Sequence, residues 1–169
     1  MVELLSLWMP ILLSAVFVFI VSSLIHMVLG YHKNDFLAIP SETEIRDALR
    51  GFNMPPGEYM VPRAGNMAEY GSEEFKQKVE KGPVFMITVM ENKIQSMGPA
   101  LLLWFIYSLI VSIFAGYLAS RTLDATTHYL TVFRVVGTMA FVGYALALLQ
   151  NSIWYKRAWS VTLNRCLMD

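Results

Sequence analysis

Three apolar blocks, residues 4–30, 99–119 and 130–149, limit what this chain can become more than anything else in it. A helix crossing a hydrocarbon layer about 30 Å thick takes roughly 20 residues at about 1.5 Å each, and every block reaches that length. Apolar residues make up 56% of the chain, the mean hydropathy is +0.48, and the excess is concentrated in these blocks. Lipid burial is the physical reading of such a distribution. Met1, Val2 and Glu3 supply no basic flank for a cleaved signal peptide, and the apolar run that follows is too long for one, so the first block reads as a retained anchor.

Basic residues give an expected orientation. Lys33, Arg46, Arg50, Arg63, Lys76, Lys78, Lys81 and Lys93 lie between the first two blocks, and Lys156, Arg157 and Arg165 follow the third. The other side carries Arg121, with Arg134 just inside the third block. The positive-inside rule then places the N-terminus outside and residues 31–98 and the C-terminal tail in the cytoplasm. The expected organisation is a first transmembrane helix at 1–30, a cytoplasmic α+β segment at 31–98, and a membrane hairpin with a tail at 99–169.

The water-facing segment carries folding signals of its own. Ser41 with Glu44 reads as a capping box, Ile45, Ala48 and Leu49 give one apolar face, and Gly51 stops that helix. A second helix is bracketed by Ser72 with Glu73 and Glu74 at its start and by Lys78, Lys81, Gly82 and Pro83 at its end. Residues 58–61 and 84–90 have the composition of two short strands able to pair. So few large apolar side chains make a marginal core, which is expected to lean on the bilayer or on a partner.

Several function classes are disfavoured. A formal net charge of zero, with acidic residues mixed among the basic ones, leaves no electrostatic footprint for nucleic acid. The single cysteine, Cys166, allows neither an intrachain disulfide nor a thiolate cage. No nucleophile elbow, phosphate loop or metalloprotease helix occurs, so the chain is not expected to be an enzyme, and no cofactor or metal is expected. His26 and His32 are weak candidates for a cofactor ligand or proton relay, but six residues apart they point about 120° from each other. A histidine near a helix end more often bonds a neighbouring helix or reaches headgroups. Tyr31, His32, Lys33 and Asp35 form a polar knot beside the first block, readable as an interface anchor or as a contact for lipid or quinone headgroups.

The remaining signals concern helix packing. Ser108, Ser112, Gly116 and Ser120 recur at four-residue spacing, a stripe that lets another helix come close, and Gly137, Ala140 and Gly143 thin the third block. Arg134 is expected to snorkel or to pair with Asp124. Trp8, Trp104, Trp154, Trp159, Tyr107, Tyr117 and Tyr129 read as interface anchors, and Pro10 and Pro99 lie too near their block ends to break a helix centrally.

The run Gly30, Tyr31, His32, Lys33, Asn34, Asp35, Phe36, Leu37, Ala38, Ile39, Pro40 resembles a family of small bacterial inner-membrane proteins with no assigned activity. Further similar stretches are Pro55 with Gly57, Glu58, Tyr59 and Met60; Gly82-Pro83; Met97-Gly98; Leu103, Trp104, Phe105; Phe133-Arg134; Asn151, Ser152, Ile153, Trp154; and Trp159, Ser160, Val161, Thr162. The resemblance spans nearly the whole chain and implies architecture only. Family members continue past the position of Thr162 into another hydrophobic span, which implies four spans and both termini outside.

These readings converge on an α-helical integral membrane protein of the bacterial inner membrane. The leading functional expectation is a non-catalytic accessory, structural or assembly subunit of a larger respiratory or photosynthetic membrane complex, in contact with membrane lipids and other membrane subunits. A self-associating small transporter or channel, with Arg134 or His26 lining a path, is the alternative from another class. A cofactor-binding redox protein is a distant third.

Overall fold

The computed structural model describes residues 2–29 and 35–168. His32 and its neighbours Gly30, Tyr31, Lys33 and Asn34 lie outside the described residues. Three stretches, Leu4–Val28, Met97–Thr122 and Tyr129–Trp154, are helical, long and apolar enough to cross a membrane. The protein is therefore a multi-pass membrane protein by the length and composition of its helices. The chain forms two compact units, Ala38–Gln95 and the membrane part built from residues 1–37 and 96–169.

In the membrane part, a 3-10 turn (Leu4–Leu7) leads into α1 (Trp8–Val28), as Pro10 sits in the first turn where its missing N–H costs nothing. Of the most apolar stretch of each span, 28% is buried in Met97–Thr122, against 6% in Leu4–Val28 and 11% in Tyr129–Trp154. The helix of Met97–Thr122 is thus the middle one, with a span packed on either side of it. Phe19 meets Phe105 edge-on at 5.6 Å across the first of these contacts.

The segment of Ala38–Gln95 holds α2 (Glu42–Arg50), β1 (Gly57–Val61), α3 (Met67–Tyr70), α4 (Glu73–Lys81) and β2 (Phe85–Val89). The two strands pair antiparallel, Gly57 opposite Val89 and Val61 opposite Phe85, as their composition predicts. Ser72 caps α4 by accepting the Phe75 amide at 3.1 Å, and Gly82 closes it at φ +58°, a conformation that suits glycine. The Lys78 ammonium, 2.7 Å away, holds the Glu74 carboxyl below the usual carboxylate range, mainly by hydrogen bonding, and Glu74 holds Lys78 above its own.

Two features of this segment differ from expectation. Ser41 does not form a capping box with Glu44. Its backbone lies in the left-handed region at φ 48°, which turns the hydroxyl away from the amides it would accept from, and only its carbonyl bonds Ile45 N–H. The additional helix α3 is capped by Asn66, which accepts the Glu69 amide at 2.9 Å while the Glu69 carboxylate accepts from Gly65 N–H at 2.7 Å. Phe75, 8% exposed and 5.1 Å from the Tyr70 ring, is the buried apolar anchor of the segment. Phe52, Met67, Val84, Met90 and Ile94 remain exposed.

After α5 (Met97–Thr122), the Asp124 N–H donates to Thr127 Oγ1 at 2.9 Å and the Asp124 carbonyl accepts from Thr127 N–H at 3.0 Å, closing the short connection. His128 caps α6 (Tyr129–Tyr144). The third span is not one uniform helix. It tightens into a 3-10 turn at Leu146–Leu148 before α7 (Leu149–Trp154), an interruption with no proline to announce it, and the chain then reverses into α8 (Trp159–Met168). The break has identifiable hydrogen-bond partners: the Cys166 thiol donates to the Ala145 carbonyl at 3.2 Å and the Tyr107 hydroxyl donates to the Gly143 carbonyl. Helix α8 is fastened by a buried bond from Ser152 Oγ to Thr162 Oγ1 at 2.8 Å, Thr162 being 1% exposed.

Candidate functional site: a groove between the spans

The spacing of the small residues on α5 has a direct structural consequence. Ser108, Ser112 and Ser120 are buried, and Ser108 and Ser120 donate their hydroxyls to carbonyls of their own helix, Trp104 at 3.0 Å and Tyr117 at 2.7 Å. Satisfied internally, they present little more than a methyl group's bulk to a neighbour. At Gly116 the approach is closest. A Cβ there would lie 2.8 Å from Ile11 Cδ1 and 2.9 Å from Ile11 Cγ1, so the Ile11 side chain of α1 packs directly over the bare Cα of Gly116. Gly143 plays a milder version of the same role against Val111, at 3.1 Å and 3.2 Å. Gly137 does not: a Cβ there would meet nothing within 4 Å among the described residues.

Because α1 and α6 both lie against α5, a groove of about 540 Å³ runs between them. Ser112, Ala115, Gly116 and Ala119 of α5 contribute small side chains to its lining, and its flanks include Ile11 and Phe17 of α1 and Val136 and Ala140 of α6. Its surface is almost wholly apolar.

One end of the layer is tied by an aromatic cluster. Trp104 Nε1 donates to Ser22 Oγ at 2.7 Å, joining α5 to α1, while Tyr144 of α6 is 7% exposed and points its hydroxyl at the Ser108 carbonyl at 3.4 Å. Trp104 stacks on Tyr107 at 5.5 Å, and Tyr144 lies 6.0 Å from Trp104 and 5.6 Å from Tyr107. Trp104 and Tyr107 are therefore interhelical residues and not simple interface anchors. Their spacing with Ser108 puts all three on one face of α5, a signal the sequence carried; Tyr144, on another helix, gave no such sign.

His26 lies beside this cluster at a cleft of about 320 Å³ lined by Ser22, Ser23, Met27, Met97 and Trp104, among others. Its Nδ1 is 2.8 Å from the Ser22 carbonyl, which can only accept, so Nδ1 carries the proton. Ser23 Oγ is buried with no hydrogen-bond partner among the described residues. His32, the other candidate ligand, lies outside the described residues. No group of three or more His, Cys, Asp or Glu side chains able to hold a metal occurs among the described residues.

Arg134 is exposed on the flank of α6. Arg165 of α8 donates through Nε and Nη2, each at 2.8 Å, to the same oxygen of Asp35, whose side chain is 5% exposed. Arg157 lies nearby, 5.8 Å from the Phe36 ring centroid, and burial holds its guanidinium below the ordinary arginine value, with repulsion from Arg165 adding to that and attraction to Asp35 opposing it.

Among known proteins, no family model, curated protein or solved structure matches this chain.

Proposed function

We propose that this protein is a non-catalytic accessory, structural or assembly subunit of a larger bacterial membrane complex, of the respiratory or photosynthetic kind. The observation that carries the reading is the groove between α1 and α6. Small side chains of α5 line it, which is the surface that lets a further helix come close in lipid, where packing and not hydrophobic transfer drives association. The exposed apolar side chains of the Ala38–Gln95 segment, Phe52, Met67 and Ile94 among them, are a second surface in need of cover. The residue pattern in 30–40 and its companion stretches favours the small inner-membrane family it resembles, and the distribution of Lys and Arg favours an outside N-terminus with residues 31–98 in the cytoplasm.

The test is purification of the native protein from its own host in mild detergent, with native size, absorption spectrum and subunit composition recorded on one preparation. A particle with stoichiometric partners, lost in an Ala115→Leu variant that fills the groove, is the expected result. A particle holding this chain alone would overturn the reading and favour a self-associating transporter or channel. That alternative predicts loss of flux when Arg134 and His26 are replaced by alanine together.

A further inference from the structure

The reversal after the third span holds a cation in a defined place. The Asn151 carbonyl accepts both the Tyr155 and the Arg157 amides, each at 3.2 Å, which fixes the backbone of the elbow. Lys156 stands at φ 55° and turns its ammonium back onto the Ile153 carbonyl at 3.0 Å. Arg157 is half-buried with its guanidinium beside the Phe36 ring, and it makes no ion pair among the described residues. The neighbouring carboxylate, Asp35, accepts through Oδ2 from Arg165 Nε and Nη2. Arg157 and Arg165 thus share one described acidic side chain, Asp35, with Lys156 beside Arg157 in sequence, an excess of positive charge among the described residues.

Position supplies the second part of the inference. The apolar span ends at Trp154, so Tyr155–Arg157 fall where hydrocarbon gives way to headgroups. Trp154, Tyr155 and Trp159, on either side of Arg157 in sequence, are all exposed, as rings that lie among headgroups are. A zwitterionic lipid brings its own ammonium and leaves the excess charge in place, whereas a lipid with net negative charge neutralises it.

We propose that Arg157, supported by Lys156 and flanked by Trp154 and Trp159, binds the phosphate of an anionic phospholipid headgroup at the elbow after the third span. Arg157 is the recognising group, because a planar guanidinium fixed by its backbone can donate two parallel hydrogen bonds to phosphate oxygens. Asp35 and Arg165 hold the adjacent wall of the site.

Native mass spectrometry of the full chain in mild detergent tests this, with dioleoylphosphatidylglycerol and dioleoylphosphatidylcholine offered in equal amounts. The expected result is retention of the anionic lipid over the zwitterionic one, reduced about fivefold in Arg157→Ala, reduced to a smaller extent in Arg157→Lys, which keeps the charge but loses the paired donors, and unchanged in Arg46→Ala. A photoactivatable phosphatidylglycerol probe on the unaltered protein should label the peptide containing residues 154–159, a readout that does not depend on any variant folding. Full anionic preference in a folded Arg157→Ala protein, or labelling confined to other peptides, overturns the proposal. Displacement of the lipid by millimolar inorganic phosphate also overturns it, because the site would then belong to a free anion.

Discussion

Alanine at Gly116 would place a Cβ 2.8–2.9 Å from two carbons of Ile11, where ordinary contacts begin near 3.4 Å, so α1 and α5 must separate or Ile11 must leave its rotamer. Overpacking of this size costs about 1–3 kcal/mol, and the better helix propensity of alanine returns up to about 1 kcal/mol. Gly137→Ala is the internal control, since it carries the same propensity gain and meets nothing within 4 Å. Subtracting one variant from the other removes the propensity term and leaves the contact, for which a gap of about 1–3 kcal/mol is expected. Gly143→Ala should fall between them, as Val111 at 3.1–3.2 Å needs to give only a few tenths of an ångström. Unfolding of the three variants in one detergent, followed by tryptophan fluorescence against denaturant, measures the order. Equal stabilities for Gly116→Ala and Gly137→Ala, within about 0.5 kcal/mol, would refute the close helix approach.

Further outcomes follow from single contacts. Trp104→Phe should destabilise by about 0.5–1.5 kcal/mol through loss of the bond to Ser22 Oγ, and a double-mutant cycle with Ser22→Ala should recover a coupling of similar size. Arg165→Ala removes two charge-assisted donors to a carboxylate that is 5% exposed and should cost about 1.5–3 kcal/mol, with Asp35→Asn in the same background restoring part of the loss in thermal unfolding. Thr162→Val breaks the Ser152 bond that fastens α8, so alkylation of Cys166, whose thiol otherwise points to the Ala145 carbonyl, should quicken severalfold in a maleimide assay. The Glu74–Lys78 pair contributes above the ordinary carboxylate value of 4.5, and that contribution is lost as pH falls through the depressed value in the folded protein. An NMR titration of Glu74 should show a midpoint below 4.5 that rises in Lys78→Met.

Legibility differed between parts of the molecule for physical reasons. Span length, the strand pair and the caps of α4 are set by local composition and periodicity, so Ser72, Gly82 and the residues of β1 and β2 could be read in one dimension. Ser41 could not, because a capping box needs a backbone conformation as well as a residue type, and φ 48° denies it. The stripe of Ser108, Ser112, Gly116 and Ser120 was visible on α5, yet its closest partner, Ile11, lies 105 positions away. Gly137 looked equivalent to Gly143 until the neighbours of each were in place.

By itself, the sequence determined a chain with three membrane-length helices and a small α+β segment, because lipid demands long uninterrupted apolar stretches and turns demand particular residues. Only the tertiary structure decided that Asp35 belongs to Arg165, that Trp104 bonds Ser22, that the third span tightens at Leu146–Leu148, and that a groove stays open between α1 and α6. Each of these depends on side chains brought together from distant positions, where geometry selects one partner among many with the same chemistry.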